Sequence, residues 1–108
     1  MPSSQAMKKI EAIIKPFKLD DVKEALQDLK VSEIMVTEIK MFGSSRGKDE
    51  YFAGADYVID FLPKVKIETV VEDDQVEKVV AAISQSAATD RPENEKIMVT
   101  DVLKSLAI

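Results

Sequence analysis

The sequence lacks cysteine and histidine altogether, and it contains only three glycines among its 108 residues. Without cysteine the chain forms neither disulfides nor thiolate metal sites, and without histidine it has no imidazole to activate a serine nucleophile. Carboxylates, lysines, hydroxyls and backbone groups are the remaining candidates for chemistry. This composition argues against an enzyme, and we expect a protein that binds other molecules.

Positive charge is also scarce, because 20 acidic residues outnumber 15 basic ones and the formal net charge is −5. No basic run is present, so a nucleic-acid-binding surface is disfavoured and the expected partners are proteins or small ligands. No apolar run is long enough to span a bilayer, and residues 1–6 resemble neither a leader nor an anchor. We expect a cytoplasmic protein with no membrane insertion, in which a frayed tail, 1–6, precedes a single domain, 7–108.

Two segments of the chain echo each other. Lys9–Ile14 reads KIEAII and Lys66–Val71 reads KIETVV, and each is soon followed by an Asp-Asp pair and by apolar residues at three- and four-residue steps. This spacing predicts two amphipathic helices with acidic residues near their N-termini. The predicted apolar stripes are Leu19, Val22, Ala25, Leu26 and Leu29 in the first helix, and Val76, Val79, Val80 and Ile83 in the second.

The other apolar segments are typical of strands. Ile34–Met41 and Tyr57–Phe61 are rich in β-branched or aromatic residues, and Lys96–Leu103 is the last such segment. The resulting order, βαββαβ, predicts an α+β fold of the ferredoxin-like type. In that fold a four-stranded antiparallel sheet carries both helices on one face.

The second face of this sheet also requires a cover. Apolar side chains occupy both alternating sets of positions in the segment Ile34–Met41, which a sheet with one solvated face would not need. Self-association through the sheet face is the simplest cover. The alternative is a monomer that exposes a few apolar residues.

A long segment without periodicity, residues 43–56, connects the two middle strands. Connections of this length in compact domains are usually functional or disordered. Tyr51 and Phe52 are unusual in so polar a segment. They either anchor a partner protein or pack back on their own sheet.

Two blocks of sequence carry a resemblance to a known family. Met7–Val22 and Asp60–Glu68 closely resemble the PII nitrogen-regulatory signalling proteins, and the similarity runs ungapped from Met7 to about Val102. The resemblance implies a homotrimer that binds ATP or ADP in clefts between subunits. It also implies that segment 43–56 is the T-loop, which contacts transporters or metabolic enzymes, and that 2-oxoglutarate binds beside the nucleotide in many members.

The resemblance assigns residues to these sites one at a time. The nucleotide and effector cleft would include Gly43, Lys64, Glu68, Val70, Thr89 and Lys96, and the partner-binding loop would include Ser44, Ser45, Arg46, Gly47, Tyr51 and Phe52. Lys64 matches the lysine that contacts 2-oxoglutarate, but Ser45 replaces the glutamine that binds Mg²⁺ and the oxoacid. We therefore expect weakened or lost 2-oxoglutarate sensing.

Tyr57 lies where many family members carry a tyrosine that is uridylylated. The two residues before Gly54, Phe52-Ala53, differ from the usual pattern, in which a tyrosine and a basic residue precede that glycine. Tyr57 is therefore either a modification site or a tyrosine that packs at the start of a strand.

The connection at residues 89–96 departs most from the family. The family has a glycine-rich turn that binds nucleotide phosphates through backbone N–H groups, whereas this chain reads TDRPENEK with no glycine. Pro92 removes an N–H group, and Glu93 and Glu95 bring negative charge toward the phosphates. The family's C-terminal arginine pair is replaced by Ala107-Ile108, where the sequence ends.

ADP, AMP or ATP binding, implied by the resemblance, is therefore expected to be weakened, and no cofactor is assigned. Arg46 and Arg91 either supply substitute anion contacts or are solvated loop charges. We expect a regulator of nitrogen or carbon metabolism that responds to an adenine nucleotide or to an altered effector such as bicarbonate. The alternative is a ligand-independent paralogue that serves as a scaffold or joins mixed trimers.

Overall fold

A computed structural model of the protein describes residues 6–44 and 59–108. The elements are β1 (Met7–Ile14), α1 (Leu19–Asp28), β2 (Met35–Ser44), β3 (Ile59–Glu72), α2 (Val76–Ala87) and β4 (Lys96–Val102), and a short 3₁₀ turn precedes each helix. The predicted order βαββαβ is confirmed. Neither helix in these ranges has the length and apolar character that a membrane span requires.

The four strands form one antiparallel sheet in the order β2-β3-β1-β4. The two echoing segments are the central strands, which pair from Met7↔Glu72 to Ile14↔Val65. Glu11 lies opposite Glu68, the equivalent residue of the other echo segment, so the two segments run antiparallel and are centred near this pair. This arrangement confirms the ferredoxin-like fold.

The core lies between the sheet and the two helices. Alternate residues of the central strands are buried, as are one stripe of α1 and one stripe of α2, because side chains alternate in a strand and repeat every third or fourth residue in a helix. The largest of these buried side chains are Ile10, Ile14, Val22, Leu26, Ile67, Val79 and Ile83. Both helices therefore pack on one face, as predicted.

Strand β3 is longer than the sequence suggested. The predicted strand Tyr57–Phe61 and the echo segment Lys66–Val71 belong largely to one continuous strand, Ile59–Glu72, which passes through Pro63. The proline is tolerated because β1 pairing ends at Val65, so β3 has only β2 beside it at Pro63.

Strands β2 and β3 extend past the end of β1 as a two-stranded ribbon. We call Ile39–Ser44 together with Ile59–Lys64 the ribbon, and its pairing runs from Ile39↔Lys64 to Ser44↔Ile59. Gly43 and Ser44, the first two residues of the predicted 43–56 segment, lie within β2. The remaining residues of that segment lie outside the described part of the chain.

The face of the sheet opposite the helices, which we call the open face, carries charged side chains on its two central strands, and exposed apolar side chains lie around these charges. Lys9 forms an ion pair with Glu68 at 2.8 Å, which offsets the repulsion between Glu68 and Glu11 across the strands. Met35, Val70 and Met98 are exposed on this face. An exposed apolar surface opposite the helices is what the sequence pattern predicted.

Candidate functional site

Four charged side chains meet where the ribbon leaves the rest of the sheet. Lys15 follows β1, Lys64 lies in β3, and Glu93 and Glu95 belong to the connection between α2 and β4. The Nζ of Lys64 donates to Oε2 of Glu95 at 2.5 Å, and the Nζ of Lys15 donates to Oε1 of the same carboxylate at 2.9 Å. We call these four residues the lysine–glutamate cluster.

Three of the four side chains of the cluster are largely removed from water. Lys64 is only 3% exposed, and the side chains of Lys15 and Glu95 are 13% and 15% exposed. A buried ammonium group is costly unless a hydrogen-bonded counter-charge accompanies it. Glu95 supplies that counter-charge to both lysines.

The backbone of the connection completes the arrangement. The N–H of Glu93 donates to Oε1 of Glu95 at 2.6 Å, and the carbonyl of Arg91 accepts from Nζ of Lys15 at 2.7 Å. Between the two glutamates, Asn94 has φ 71°, a left-handed conformation that asparagine adopts more readily than most residues. Asparagine thus provides a turn here for which the family pattern uses glycines.

These contacts determine the ionisation of Glu95. Burial raises the pKa of its carboxyl, but hydrogen bonds from Lys64, from the Glu93 N–H group and from Lys15 outweigh burial, and the pKa falls from 4.5 to about 2. The carboxylate is therefore charged at neutral pH. Two positive and two negative groups then cancel within the cluster.

The sequence led us to expect that the acidic residues of the connection face a bound phosphate, but Glu95 faces the two lysines instead. Glu95 was expected to extend toward a phosphate group and repel it, but its carboxylate points at Lys15 and Lys64. Glu93 is more exposed and lies 3.9 Å from each ammonium group. The repulsion that the two glutamates would exert on a phosphate is therefore partly neutralised. The two lysines, in turn, already bind a carboxylate of the same chain.

An open pocket of about 330 Å³ lies beside the cluster. Its walls come from β1, from the end of α2, from the connection and from the start of β4, and they are mostly apolar: Ile13, Ile14, Ile83, Ala87 and Ile97. Thr89, Glu95 and Lys96 add polar groups to this lining. Such a pocket suits a small ligand with an apolar body and one polar end.

The structure brings some of the predicted cleft residues together and separates others. Thr89 and Lys96 line the pocket, and Lys64 belongs to the adjoining cluster. Gly43, Lys64, Glu68, Val70 and Lys96 occupy register positions that belong to the open face. Glu68 and Val70 lie farther along β3, with Val70 roughly 20 Å from Lys64 by strand rise, so the residues do not converge on one cavity within a single chain.

The predicted partner-binding and modification residues mostly lie outside the described residues, namely Ser45, Arg46, Gly47, Tyr51, Phe52 and Tyr57. Ser44 is the last residue of β2. Arg91 is exposed and contributes its backbone carbonyl to the cluster. A substitute anion contact by its guanidinium remains a prediction.

Lys15 is the residue that sequence reasoning missed. It lies directly after the apolar run of β1 and before Pro16, at the end of a central strand. A lysine there, together with two glutamates in a distant connection, is a pattern of complementary charge. That pattern could have suggested the pairing, but only once the topology placed the two segments side by side.

The fold and the site define a small ferredoxin-like domain with a lysine pair at the base of a protruding ribbon. A family model described as nitrogen regulatory protein P-II matches residues 7–108. The chain is 59% identical over 96 residues to nitrogen regulatory protein P-II of Azospirillum brasilense, covering 89% of this chain and 86% of that relative. It is 52% identical over 102 residues to nitrogen regulatory protein P-II 1 of Escherichia coli K12, covering 94% and 91%.

The chain therefore belongs to the P-II nitrogen regulatory protein family, which confirms the resemblance seen in the sequence. A third relative, nitrogen regulatory protein P-II of Bradyrhizobium diazoefficiens, is 54% identical over 102 residues, covering 94% of this chain and 91% of that relative. These relatives are named as regulatory proteins, in agreement with a non-enzymatic function.

Proposed function

We propose that this protein controls a partner, a transporter or a metabolic enzyme, through segment 43–56, in the regulation of nitrogen or carbon metabolism. The family match over residues 7–108 carries the proposal. The ribbon supports it, because its last pair, Ser44↔Ile59, flanks the segment beyond the end of β1. A segment connected at that point can contact a partner without disturbing the core.

The acting form in this proposal is a homotrimer in the cytoplasm. The apolar side chains of the open face support self-association, because a sheet face of this kind is stabilised by a second apolar surface. Light scattering on the purified protein tests it. A mass three times the 12.0 kDa of one chain is expected at micromolar concentration, and the mass of one chain would contradict it.

The effector in this proposal is an adenine nucleotide or a smaller anion such as bicarbonate, bound in the cleft that includes Lys64, Thr89 and Lys96. The position of Thr89 and Lys96 beside an open pocket supports a ligand there. Cancellation of charge within the lysine–glutamate cluster favours an effector with less charge than ATP together with 2-oxoglutarate. Weakened 2-oxoglutarate sensing is part of the same proposal.

Titration calorimetry with ATP, ADP and AMP, each with and without 2-oxoglutarate or bicarbonate, tests the effector. Binding of AMP, ADP or bicarbonate is expected, with little or no enhancement by 2-oxoglutarate. Tight ATP binding that 2-oxoglutarate strengthens would contradict an altered effector site. The absence of a binding signal for every ligand would favour the ligand-independent scaffold.

Cross-linking and affinity capture from the source cells test the partner. The unaltered chain and a variant with residues 45–56 replaced by a flexible Gly-Ser linker form a matched pair. A partner captured only by the unaltered chain is expected. Equal capture by both chains would contradict a role for the segment.

A further inference from the structure

The carboxylate of Glu95 makes the contacts that a bound carboxylate ligand would make. Its Oε1 accepts from Nζ of Lys15 and from the N–H of Glu93, and its Oε2 accepts from Nζ of Lys64. Two ammonium donors and one backbone donor therefore converge on one carboxylate from three separate parts of the chain. Charge-assisted hydrogen bonds of this kind are the stronger class in proteins.

We propose that Glu95 is a tethered occupant of the carboxylate site formed by Lys15, Lys64 and the Glu93 N–H group, at the lysine to which the family resemblance assigns 2-oxoglutarate contact. The site takes one carboxylate group, and the chain supplies that group itself. A free carboxylate ligand has to displace Glu95 before it reaches the lysines.

The tether gives Glu95 a large advantage over free anions. A group held on a short segment competes at an effective concentration in the millimolar range or above. Glu95 is only two residues from Glu93, whose N–H group is part of the site, so little freedom is lost when the carboxylate binds. Free monocarboxylates at lower concentrations are therefore excluded from the unaltered protein.

This arrangement differs from an ordinary surface ion pair in two ways: three donors bind one carboxylate, and one of the donors is nearly buried. A solvent-exposed pair contributes little and leaves no site behind when one partner is removed. Lys64, by contrast, is nearly buried. Removal of Glu95 leaves two ammonium groups facing a single carboxylate, that of Glu93, at 3.9 Å, and a nearly buried ammonium without its partner attracts an anion.

The consequence for regulation rests on the proposed function. If the cleft senses a small effector, the Lys15–Lys64 pair is already satisfied and does not report free carboxylates. The signal then has to come from a ligand elsewhere in the cleft, or from one that displaces Glu95.

Chemical rescue tests the site. Glu95→Ala removes a CH₂ and a carboxylate, which are the atoms of one acetate ion. The melting temperature of this variant is measured in sodium acetate and in sodium chloride at equal ionic strength and pH 7. Acetate is expected to raise its melting temperature by several degrees in a saturable way and to leave the unaltered protein unchanged.

Two variants serve as controls. Glu93→Ala makes the same change in net charge at the more exposed glutamate, and it is expected to show no acetate response. Lys15→Met combined with Glu95→Ala removes one donor of the site, and it is expected to lose most of the rescue. An identical acetate response in all variants, or none in Glu95→Ala, would overturn the proposal.

A crystal structure of the unaltered chain gives a second test that does not depend on any variant folding. The Glu95 carboxylate is expected between the ammonium groups of Lys15 and Lys64. Glu95 turned to solvent, with water or a free anion between the lysines, would overturn the proposal. Neither experiment uses a nucleotide or a partner protein, so a failure here leaves the proposed function untouched, and the reverse also holds.

Discussion

At the scale of single residues, Lys64 shows how one buried charge determines the role of its neighbours. An ammonium group that is 3% exposed loses most of its hydration, and a hydrogen-bonded carboxylate has to replace that hydration. Glu95 does so, and in the same contact it orders the connection between α2 and β4. Glu95 therefore stabilises the conformation of this connection in addition to neutralising the charge of Lys64.

The pH dependence of stability follows from the same contact. The pKa of Glu95 is about 2 in the folded protein against 4.5 ordinarily, so its contribution is complete above about pH 5 and is lost as the pH falls from 4.5 toward 2. Glu95→Gln is expected to lower the free energy of unfolding by about 2 kcal/mol at pH 7. Urea unfolding of both proteins from pH 7 to pH 3 is expected to show this difference narrowing as the pH falls.

Glu77→Gln on α2 is a matched control, because Glu77 is an exposed glutamate of the same size. Its unfolding free energy is expected to stay within about 0.5 kcal/mol of the unaltered protein at pH 7. A difference between Glu95→Gln and the unaltered protein that stays constant down to pH 3 would contradict the role given to the Glu95 carboxylate.

At the scale of elements, the end of α1 carries a strained residue. Lys30 has φ 62°, its N–H donates to the carbonyl of Gln27, and the N–H of Val31 donates to the carbonyl of Leu26, a Schellman motif in which glycine is the usual residue. Lys30→Gly is expected to raise the free energy of unfolding by about 1 kcal/mol, because the left-handed conformation disfavours a Cβ. Chemical denaturation measures this change.

Lys30→Ala separates backbone strain from the loss of charge. It removes the ammonium group but keeps the Cβ, so its stability is expected to stay within about 0.5 kcal/mol of the unaltered protein. Equal stabilisation by alanine and glycine would show that charge, and not the conformation of residue 30, is responsible.

The ribbon is an element that has only two strands for support. Phe42 and Phe61 face each other across it with ring centroids 5.2 Å apart, and both are exposed. A two-stranded ribbon is marginal alone, so this aromatic pair is expected to hold its strands together. A double-mutant cycle of Phe42→Ala and Phe61→Ala is expected to give a coupling of about 0.5 to 1.5 kcal/mol.

Hydrogen exchange shows where that coupling acts. Either substitution is expected to speed exchange of the ribbon amides, such as that of Leu62, while the amides of β1 next to the core stay protected. Uniformly faster exchange across the sheet would contradict the independence of the ribbon.

Sequence pattern predicted the order and type of the elements but not the full length of β3. Apolar periodicity specifies which residues face the core, and the stripes containing Val22 and Val79 were found where it placed them. Strand ends depend on which neighbours the chain has, and the continuation of β3 through Pro63 follows from the end of β1 at Ile14. Sequence reasoning singled out Lys64 and the two glutamates of the cluster but neither Lys15 nor the contacts among the four residues, because the proximity of Lys15 to Glu95 exists only in the assembled fold.

At the scale of the whole molecule, the two faces of the sheet have different energetics. The helix-covered face buries side chains such as Ile67 against helix residues such as Leu26, and the burial of each is worth about 1.5 to 3 kcal/mol relative to exposure. The open face leaves Met35, Val70 and Met98 in contact with water and pairs its central charges across strands. A surface on which apolar side chains surround paired charges is suited to contact with copies of itself, since little further desolvation is required.

The last prediction concerns this open face. Val70 is 40% exposed and lies opposite Lys9. Val70→Glu places a charge on the apolar part of the face, while the nearby ammonium of Lys9 lets the single chain keep its fold. The variant is expected to have the mass of one chain in light scattering at micromolar concentration, with an unchanged circular dichroism spectrum.

Ala81→Glu, on the exposed side of α2, adds the same charge away from the open face and is expected to associate like the unaltered protein. If Val70→Glu associated fully and Ala81→Glu did not, the helices rather than the open face would form the contact between chains.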